Sequence, residues 1–403
     1  MGVTFGFAAA AMLALVVAFW PFGPYQLSLL LARRLHAFPP FPASAPAGQM
    51  ASAGTVAICL CAYNERAVIR EKVEDLLRLR ASAGGNLEIL VYVDCADDGT
   101  AEILDEYRDQ IEVVASPQRH GKTFGMNLLV SRTTASIVAF TDANVLIAPD
   151  AVAVLRRYFA DPSIGCVCSD LTYLNPQDSA TASIGARYWR MNEWSKSLES
   201  ATGSVIGADG SLFAIRRDLH RPVPKGLFDD IYVSLGVLLQ GYRVVRAPEL
   251  KAFETHTTEA KDEFRRKIRI ACECMHVHFT LWPELRGLDG WSLYKYVGHR
   301  LLRWIGGYVV VLAGLLAVAA LWVAAGPIWA VGLPLAGSSV FWLLVLAGFG
   351  PALKCWNVVL AFAGNTIGVW RALRGQRSVT WNAPESARRV ALTMQAGKRD
   401  ARG

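Results

Sequence analysis

The stretch "AFTDANVLIAPD", residues 139–150, decides how this chain is read. A short apolar run over 137–141 stops on Asp142-Ala143-Asn144 before Val145, Leu146 and Ile147 resume it. Asp and Asn are frequent at strand ends, because their side chains bond the turning backbone, so a turn is the plain reading. The sharper reading is a cation site. A hard divalent ion such as Mg2+ or Mn2+ takes oxygen ligands, and it needs only one or two from protein when a phosphate-bearing substrate brings others. Asp142 and Asn144 are then the candidate metal ligands.

Working outward, apolar runs alternate with helical spacing. Residues 56–61, 87–93, 111–115 and 137–141 read as strands. Helical patterns follow each of them: one through Val68, Val73, Leu76 and Leu77, then 100–107, 122–130, and another after Pro149. Such alternation predicts an α/β fold, a mainly parallel sheet flanked by helices. Ligands collect beyond the carboxyl ends of strands in that architecture. Polar residues stand at those ends: Tyr63-Asn64-Glu65 after the first strand, Asp94 after the second, Asp142 and Asn144 after the fourth.

In "VDCADDGT", residues 93–100, Asp94 is placed to accept a hydrogen bond from a base or ribose, while Asp97 or Asp98 reads as a turn or capping residue. "SPQRHGKTFGMN", residues 116–127, ends like a phosphate-binding Walker loop, yet Ser116 replaces its first glycine and Pro117 removes a backbone donor. In "KGLFDDIYVSLGVLLQGYRV", residues 225–244, Asp229 and Asp230 open an apolar helix. One carboxylate suffices for the helix N-terminus, which leaves the other as a candidate general base. "RIACECMHVHF", residues 269–279, alternates Cys and His, but Ile268, Cys272, Met275 and Phe279 recur at helical spacing, so a helix is expected there rather than a zinc site.

The chain has 403 residues, of which 53% are hydrophobic, more than an ordinary soluble domain carries. The excess is terminal: 1–32, 304–325, 328–349 and 355–370 contain no charged residue. Each of the first three is long enough to cross a bilayer as a helix, the first bent near Pro21 and Pro24. Arg33, Arg34, Arg300, Arg303 and a tail with eight arginines and lysines from Arg371 to Arg402 put the middle and the tail on the cytoplasmic side. Two full spans after 303, with 355–370 lying in the interface, match that charge pattern best, because a third span would export the most basic part of the chain. A net charge of +7 suits an anionic lipid surface; no basic run is interleaved with aromatics, which argues against nucleic acid. The eight cysteines include pairs at 59/61 and 166/168 that read as small buried residues of strands, and a cytoplasmic setting argues against disulfides.

In order and spacing these segments resemble the family 2 glycosyltransferases, membrane-associated enzymes with a GT-A fold. "AICLCAYNE", with Ala62, Tyr63 and Glu65, is similar to that family's first strand and nucleotide-contacting turn. "VDCADDGT" places Asp94 on the nucleoside-binding aspartate, "HGKTFGMN" places Lys122 near the diphosphate, and "TDAN" stands where the metal-binding D-x-D stands. "GADGSLFAIRRDL", with Gly207, Asp209 and Gly210, resembles the acceptor-side loop and strand, and "FDD" the acidic pair whose second member, Asp230, is the base. The polymerising members' Q-x-x-R-W is reduced here to "RKIRI", where Arg266 and Arg269 remain to neutralise a leaving diphosphate and processive synthesis is not expected.

The resemblance implies an inverting, metal-dependent transfer of a sugar from a nucleotide-sugar, foremost a UDP-sugar. The implied acceptor is lipid-linked or polysaccharide, and the site is the cytoplasmic face of the inner membrane, within a polysaccharide-biosynthesis complex. Trp189, Trp194 and Trp282 are candidates for a sugar-stacking surface, and "VTWNAPESARR", 379–389, for the border of the acceptor entrance. The expected organisation is a transmembrane helix at 1–34, a linker at 35–54 and a GT-A catalytic domain at 55–260. Membrane-proximal helices at 261–303, two transmembrane helices at 304–350, an interfacial or third transmembrane helix at 351–373 and a basic tail at 374–403 follow. Two other classes stay open: a membrane-tethered nucleotide-sugar-binding protein without catalysis, and a membrane NTPase built on Gly121-Lys122-Thr123.

Overall fold

Strand β1, Val56–Ala62, is buried at all seven positions, so both of its faces must be covered. Ile58, Leu60 and Ala62 join one apolar cluster with Val73, Leu76 and Leu79 of helix Ile69–Ser82 and with Leu155, Tyr158 and Phe159 of helix Ala151–Phe159. On the opposite side, a Cβ at Gly125 of helix Lys122–Arg132 would stand 2.9 Å from Cys61 Sγ and 2.2 Å from the Tyr92 ring, so this helix lies on the sheet only because residue 125 has no side chain. The computed structural model describes residues 2–36, 38, 54–175, 177, 180–255 and 259–377. The body of the expected linker, the tail beyond 377 and the segment 379–389 lie outside them.

The described residues fall into two compact units, one containing Leu29–Glu263 and His276–Ser292, the other Met1–Ser28, Phe264–Met275 and Leu293–Arg377. The first unit is built on an eight-stranded sheet. Its other strands are β2 (Leu87–Asp94), β3 (Glu112–Ser116), β4 (Ile137–Thr141), β5 (Leu146–Ile147), β6 (Ile164–Tyr173), β7 (Leu212–Arg216) and β8 (Arg243–Glu254), in the order β3-β2-β1-β4-β7-β6-β8-β5. The β3-β2-β1-β4 run is parallel, as the alternation predicts. Strand β7 then pairs antiparallel with β4, so that Leu212 lies opposite Thr141. That pairing brings the 207–211 loop beside Asp142, and it is fixed by the Thr141 hydroxyl donating to the Ser211 carbonyl at 2.8 Å.

The second unit is helical. The N-terminal helix Gly2–Phe19 is followed by a 3-10 turn, Trp20–Phe22, at the expected bend. Residues 269–279 are helical within Ala260–Leu285, as the spacing predicts. Among the described residues, four helices are long and apolar enough to cross a membrane: Gly2–Phe22, Gly290–Ala325, Pro327–Leu346 and Gly350–Leu373. The last, at 24 residues, extends the uncharged 355–370 run at both ends.

Candidate active site

The turns after β1 and β2 are locked together. Among the described residues, Asn64 and Cys95 are the non-glycine residues with positive φ, at +54° and +55°, and each sits just past one of these strands. Strain of this kind persists where the surroundings hold it. The Asn64 amide donates to Asp97 Oδ1 at 2.7 Å and its oxygen accepts the Asp97 N–H at 3.0 Å. Asp98 accepts the N–H groups of Arg66 and Thr100, both at 3.0 Å, and so holds the turn before helix Thr100–Asp105, whose N-cap position is Gly99.

Asp94 and Asp142 have opposite surroundings. Asp94 is wholly buried, and its carboxylate accepts the N–H of His120 at 2.7 Å and of Gly121 at 3.1 Å. It thereby holds the loop that delivers Lys122. The same bonds spend two donors of the Walker-like segment on a carboxylate, as the missing glycine at 116 anticipates. Arg119, which the sequence reading passed over, lies with its guanidinium carbon 3.4 Å above the Tyr63 ring and its Nε 3.8 Å from Asp94. Its signal was its place in the same loop, three residues before Lys122. Glu65 is buried at the end of this turn, three residues beyond Ala62, the last residue of β1.

The Asp142 side chain is 38% exposed and so is open to a ligand. Lys122 Nζ stands between it, at 2.8 Å, and Asp229 Oδ2, at 3.0 Å. Burial works against the Lys122 charge, but the Asp142 and Asp229 carboxylates outweigh it and hold its pKa well above the ordinary lysine value. Gly210 completes the group: a Cβ there would be 3.3 Å from Asp230 Oδ2, 3.6 Å from Asp142 Oδ2 and 3.6 Å from Lys122 Nζ. Asp142, Lys122, Asp229, Asp230 and Gly210 therefore surround one space.

Asp229 and Asp230 open helix Asp229–Leu239 and are both buried. Burial, and then the neighbouring Asp229 charge, push the Asp230 carboxyl well above the ordinary aspartate range, with Lys122 pulling the other way. A carboxylate of raised pKa is a stronger base toward a hydroxyl than an exposed aspartate. Ser234, also missed from sequence, couples this helix to the glycine loop. Its hydroxyl accepts the Ala208 N–H at 2.8 Å and donates to the Asp230 carbonyl at 2.5 Å, while Gly207 takes the left-handed conformation at φ +85°. Asp209 pairs with the buried Lys196 and accepts from Ser211 at 2.6 Å.

The Asp142–Val145 segment is a turn, closed by the Val145 N–H to the Asp142 carbonyl at 3.3 Å. A turn does not displace the cation reading. The Asn144 amide nitrogen donates to Glu254 at 3.0 Å, which leaves its oxygen, with the Asp142 carboxylate, as the pair of hard donors at this strand end. Among the described residues no cluster of three or more His, Cys, Asp or Glu is placed to hold a metal, and Asp142 and Asn144 are two oxygen donors of the kind a hard cation takes. Arg266 and Arg269 stand on helix Ala260–Leu285 in the helical unit, Arg269 lying 3.9 Å from Glu273.

Residues 57–223 match the family model described as Glycosyl transferase family 2. An N-acetylglucosaminyltransferase of Rhizobium meliloti (strain 1021) is 24% identical over 235 residues, 53% of this chain and 55% of that protein. One from Rhizobium sp. (strain N33) is 23% identical over 268 residues, 61% of this chain and 58% of that one. The chain thus spans little more than half the length of these curated relatives. Among solved structures, the mannosyltransferase PcManGT from Pyrobaculum calidifontis, in complex with GDP-Man and Mn2+, superposes with a TM-score of 0.67 at 21% identity, covering 92% of this chain and 100% of that one. That likeness establishes the fold as GT-A. The family 2 glycosyltransferase match at 57–223 thus covers this ordered set of strand ends, from β1 to just beyond β7.

Proposed function

We propose that the protein transfers a hexosyl or N-acetylhexosaminyl group, with inversion, from a nucleotide-sugar to a hydroxyl of a lipid-linked or polysaccharide acceptor. The observation that carries this reading is the space beside Gly210, which is bordered at once by a buried carboxylate of raised pKa, an open carboxylate and a lysine. In the reaction the acceptor oxygen bonds to the anomeric carbon as the bond from that carbon to the diphosphate oxygen breaks. The hydroxyl proton goes to Asp230, and the electron pair leaves with the nucleoside diphosphate. Lys122, kept charged by its carboxylate neighbours, meets the negative charge that grows on that leaving group. Tyr63, Glu65 and the loop ordered by Asp94 form the wall for the nucleoside. Asp142 and the Asn144 oxygen are the residues that would hold Mg2+ or Mn2+, and such an ion supplies Lewis-acid stabilisation of the departing diphosphate.

The membrane setting supports a lipid-linked or growing glycan acceptor, with the sheet unit on the cytoplasmic side of the inner membrane as the basic residues at 33–34 and 300–303 direct. The test is nucleotide release from UDP-N-acetylglucosamine, UDP-glucose and GDP-mannose by the full chain in detergent, with Mn2+, Mg2+ or a chelator. Turnover with at least one donor, lost on chelation, is expected. Asp230→Asn should slow it by about 10² to 10⁴, the usual worth of a general base, with the melting temperature kept. Wild-type turnover in that variant removes Asp230 from the chemistry, and no release from any donor removes the transferase reading.

A further inference from the structure

A second cleft lies in the sheet unit, on the β6 side of the glycine loop. It has a volume of about 480 Å³, within the usual range for ligand sites, and Asp170, Tyr173, Trp189, Glu193, Trp194 and Arg246 are among its walls. Trp189 and Trp194 project from helix Ala180–Ala201, and Tyr173 from the end of β6. The Tyr173 and Trp189 rings meet edge to face at 5.9 Å, and Trp194 is 47% exposed. The Trp189 indole N–H is buried without a hydrogen-bond partner, an expensive arrangement that an acceptor atom on a ligand would relieve. Trp282, the third tryptophan expected at a sugar surface, does not line this cleft.

The floor is charged with both signs. Arg246 bonds Asp170 at 2.6 Å and Glu193 at 2.7 Å, and Lys251 bonds Asp170 at 2.5 Å. Two carboxylates disfavour a phosphate or other anion, and so many charges disfavour a purely apolar guest. A pyranose satisfies both conditions. It offers a C–H face to indole and phenol rings, and neutral hydroxyls that accept from guanidinium and donate to carboxylate. The floor is also joined to the transfer site through side chains. Glu193 forms an ion pair with the buried Lys196 at 2.5 Å, Lys196 pairs with Asp209, and Asp209 precedes Gly210, the residue that borders Asp230 and Asp142.

We infer that this cleft holds a pyranose of the acceptor glycan at a position removed from the reacting hydroxyl, an assignment that rests on the transferase reading above. The acceptor is then an oligosaccharide or a lipid-linked glycan of more than one sugar, and the cleft sets its affinity while Asp230 sets the rate. The test is calorimetric titration of the full chain in detergent, with UDP and Mn2+ present, by chitotetraose, cellotetraose and mannotetraose. At least one should bind saturably. Trp194→Ala should weaken that binding by at least about tenfold with the melting temperature retained, and Trp282→Ala should leave it intact. No saccharide binding to the wild type, or equal affinity in Trp194→Ala, overturns the inference. Nucleotide release without acceptor is measured on the same samples: wild-type release in Trp194→Ala, alongside lost saccharide binding, supports the assignment. Saccharide binding by a wild type that releases no nucleotide from any donor would sink the transferase reading instead and leave the cleft as a saccharide site.

Discussion

At the scale of single residues, the site depends on one missing side chain as much as on the charged ones. Gly210 is not in the positive-φ region, so an alanine there meets no backbone penalty. Its methyl would nevertheless press on Asp230 Oδ2 at 3.3 Å and occupy ground shared with Asp142 and Lys122 at 3.6 Å. In the proposed mechanism this is the space where the acceptor hydroxyl and the anomeric carbon approach each other. Displacing reacting groups by about 1 Å costs on the order of 10²-fold in rate, so Gly210→Ala should lose about that much in kcat/KM while keeping its melting temperature. Full turnover in this variant would show that the space is not used. The sequence named Gly210 only as a loop residue in a resemblance; what could not be read from it is that β7 would lie antiparallel on β4 and carry the loop to Asp142.

At the scale of elements, helix Ile69–Ser82 steadies the strand end from below through a lysine on its apolar face. Lys72 is fully buried among Val68, Val73 and Leu76, and its ammonium donates to the Thr141 hydroxyl at 3.2 Å and the Val145 carbonyl at 2.5 Å, either side of the turn that carries Asp142. Burial pushes its pKa down to about 8, against the pull of Asp75 and Asp142. Below that value both folded and unfolded chains hold the proton and burial costs stability. As pH rises from about 8 toward the ordinary lysine value of about 10.5, the folded state sheds the proton first, so stability rises through this window. Lys72→Met removes the effect, and the wild type should gain roughly 2 kcal/mol relative to it between pH 7 and pH 9.5, read as diverging melting curves. Parallel curves would show Lys72 charged throughout. This lysine was legible as a break in an apolar stripe, just as β1 to β4 were legible as apolar runs ending on polar clusters. Strand β8 was not, because Pro248 and Glu249 interrupt it and its pairing with β6 slips twice. Helix Ala180–Ala201 was not, because its buried face carries Glu193, Lys196 and Glu199 and leaves no apolar stripe to count. Asp94 was found as a residue but not in its contacts, since nothing in sequence shows that its oxygens meet the backbone of residues 120 and 121.

At the scale of the molecule, the helical unit shows why the last apolar segment is a packed helix and not a loose surface one. Charge counting stopped it at Lys354 and Arg371, yet the helix Gly350–Leu373 runs past both, and its contacts are made by glycines. A Cβ at Gly368 would lie 2.5 Å from the Ile268 carbonyl oxygen and 2.6 Å from Ala271 Cβ, and one at Gly364 would lie 3.3 Å from Lys267 Cβ. Four residues apart, these two glycines let Gly350–Leu373 approach helix Ala260–Leu285 closely. The same helix meets Leu302–Ala325 through Thr366 and Phe362, against which Gly307 and Gly306 leave room. Lipid offers no hydrophobic gain for association between such helices, so their packing rests on this close fit. Gly368→Leu must therefore part the helices or bend one of them, at a cost of about 1–3 kcal/mol, and should lower the melting temperature in detergent. Gly332 of Pro327–Leu346 has nothing within 4 Å of its Cβ position, so Gly332→Leu adds a similar side chain without that penalty. Equal losses in the two variants would mean that leucine perturbs the detergent-embedded surface in general; a loss confined to Gly368→Leu ties the helical unit's stability to this one crossing.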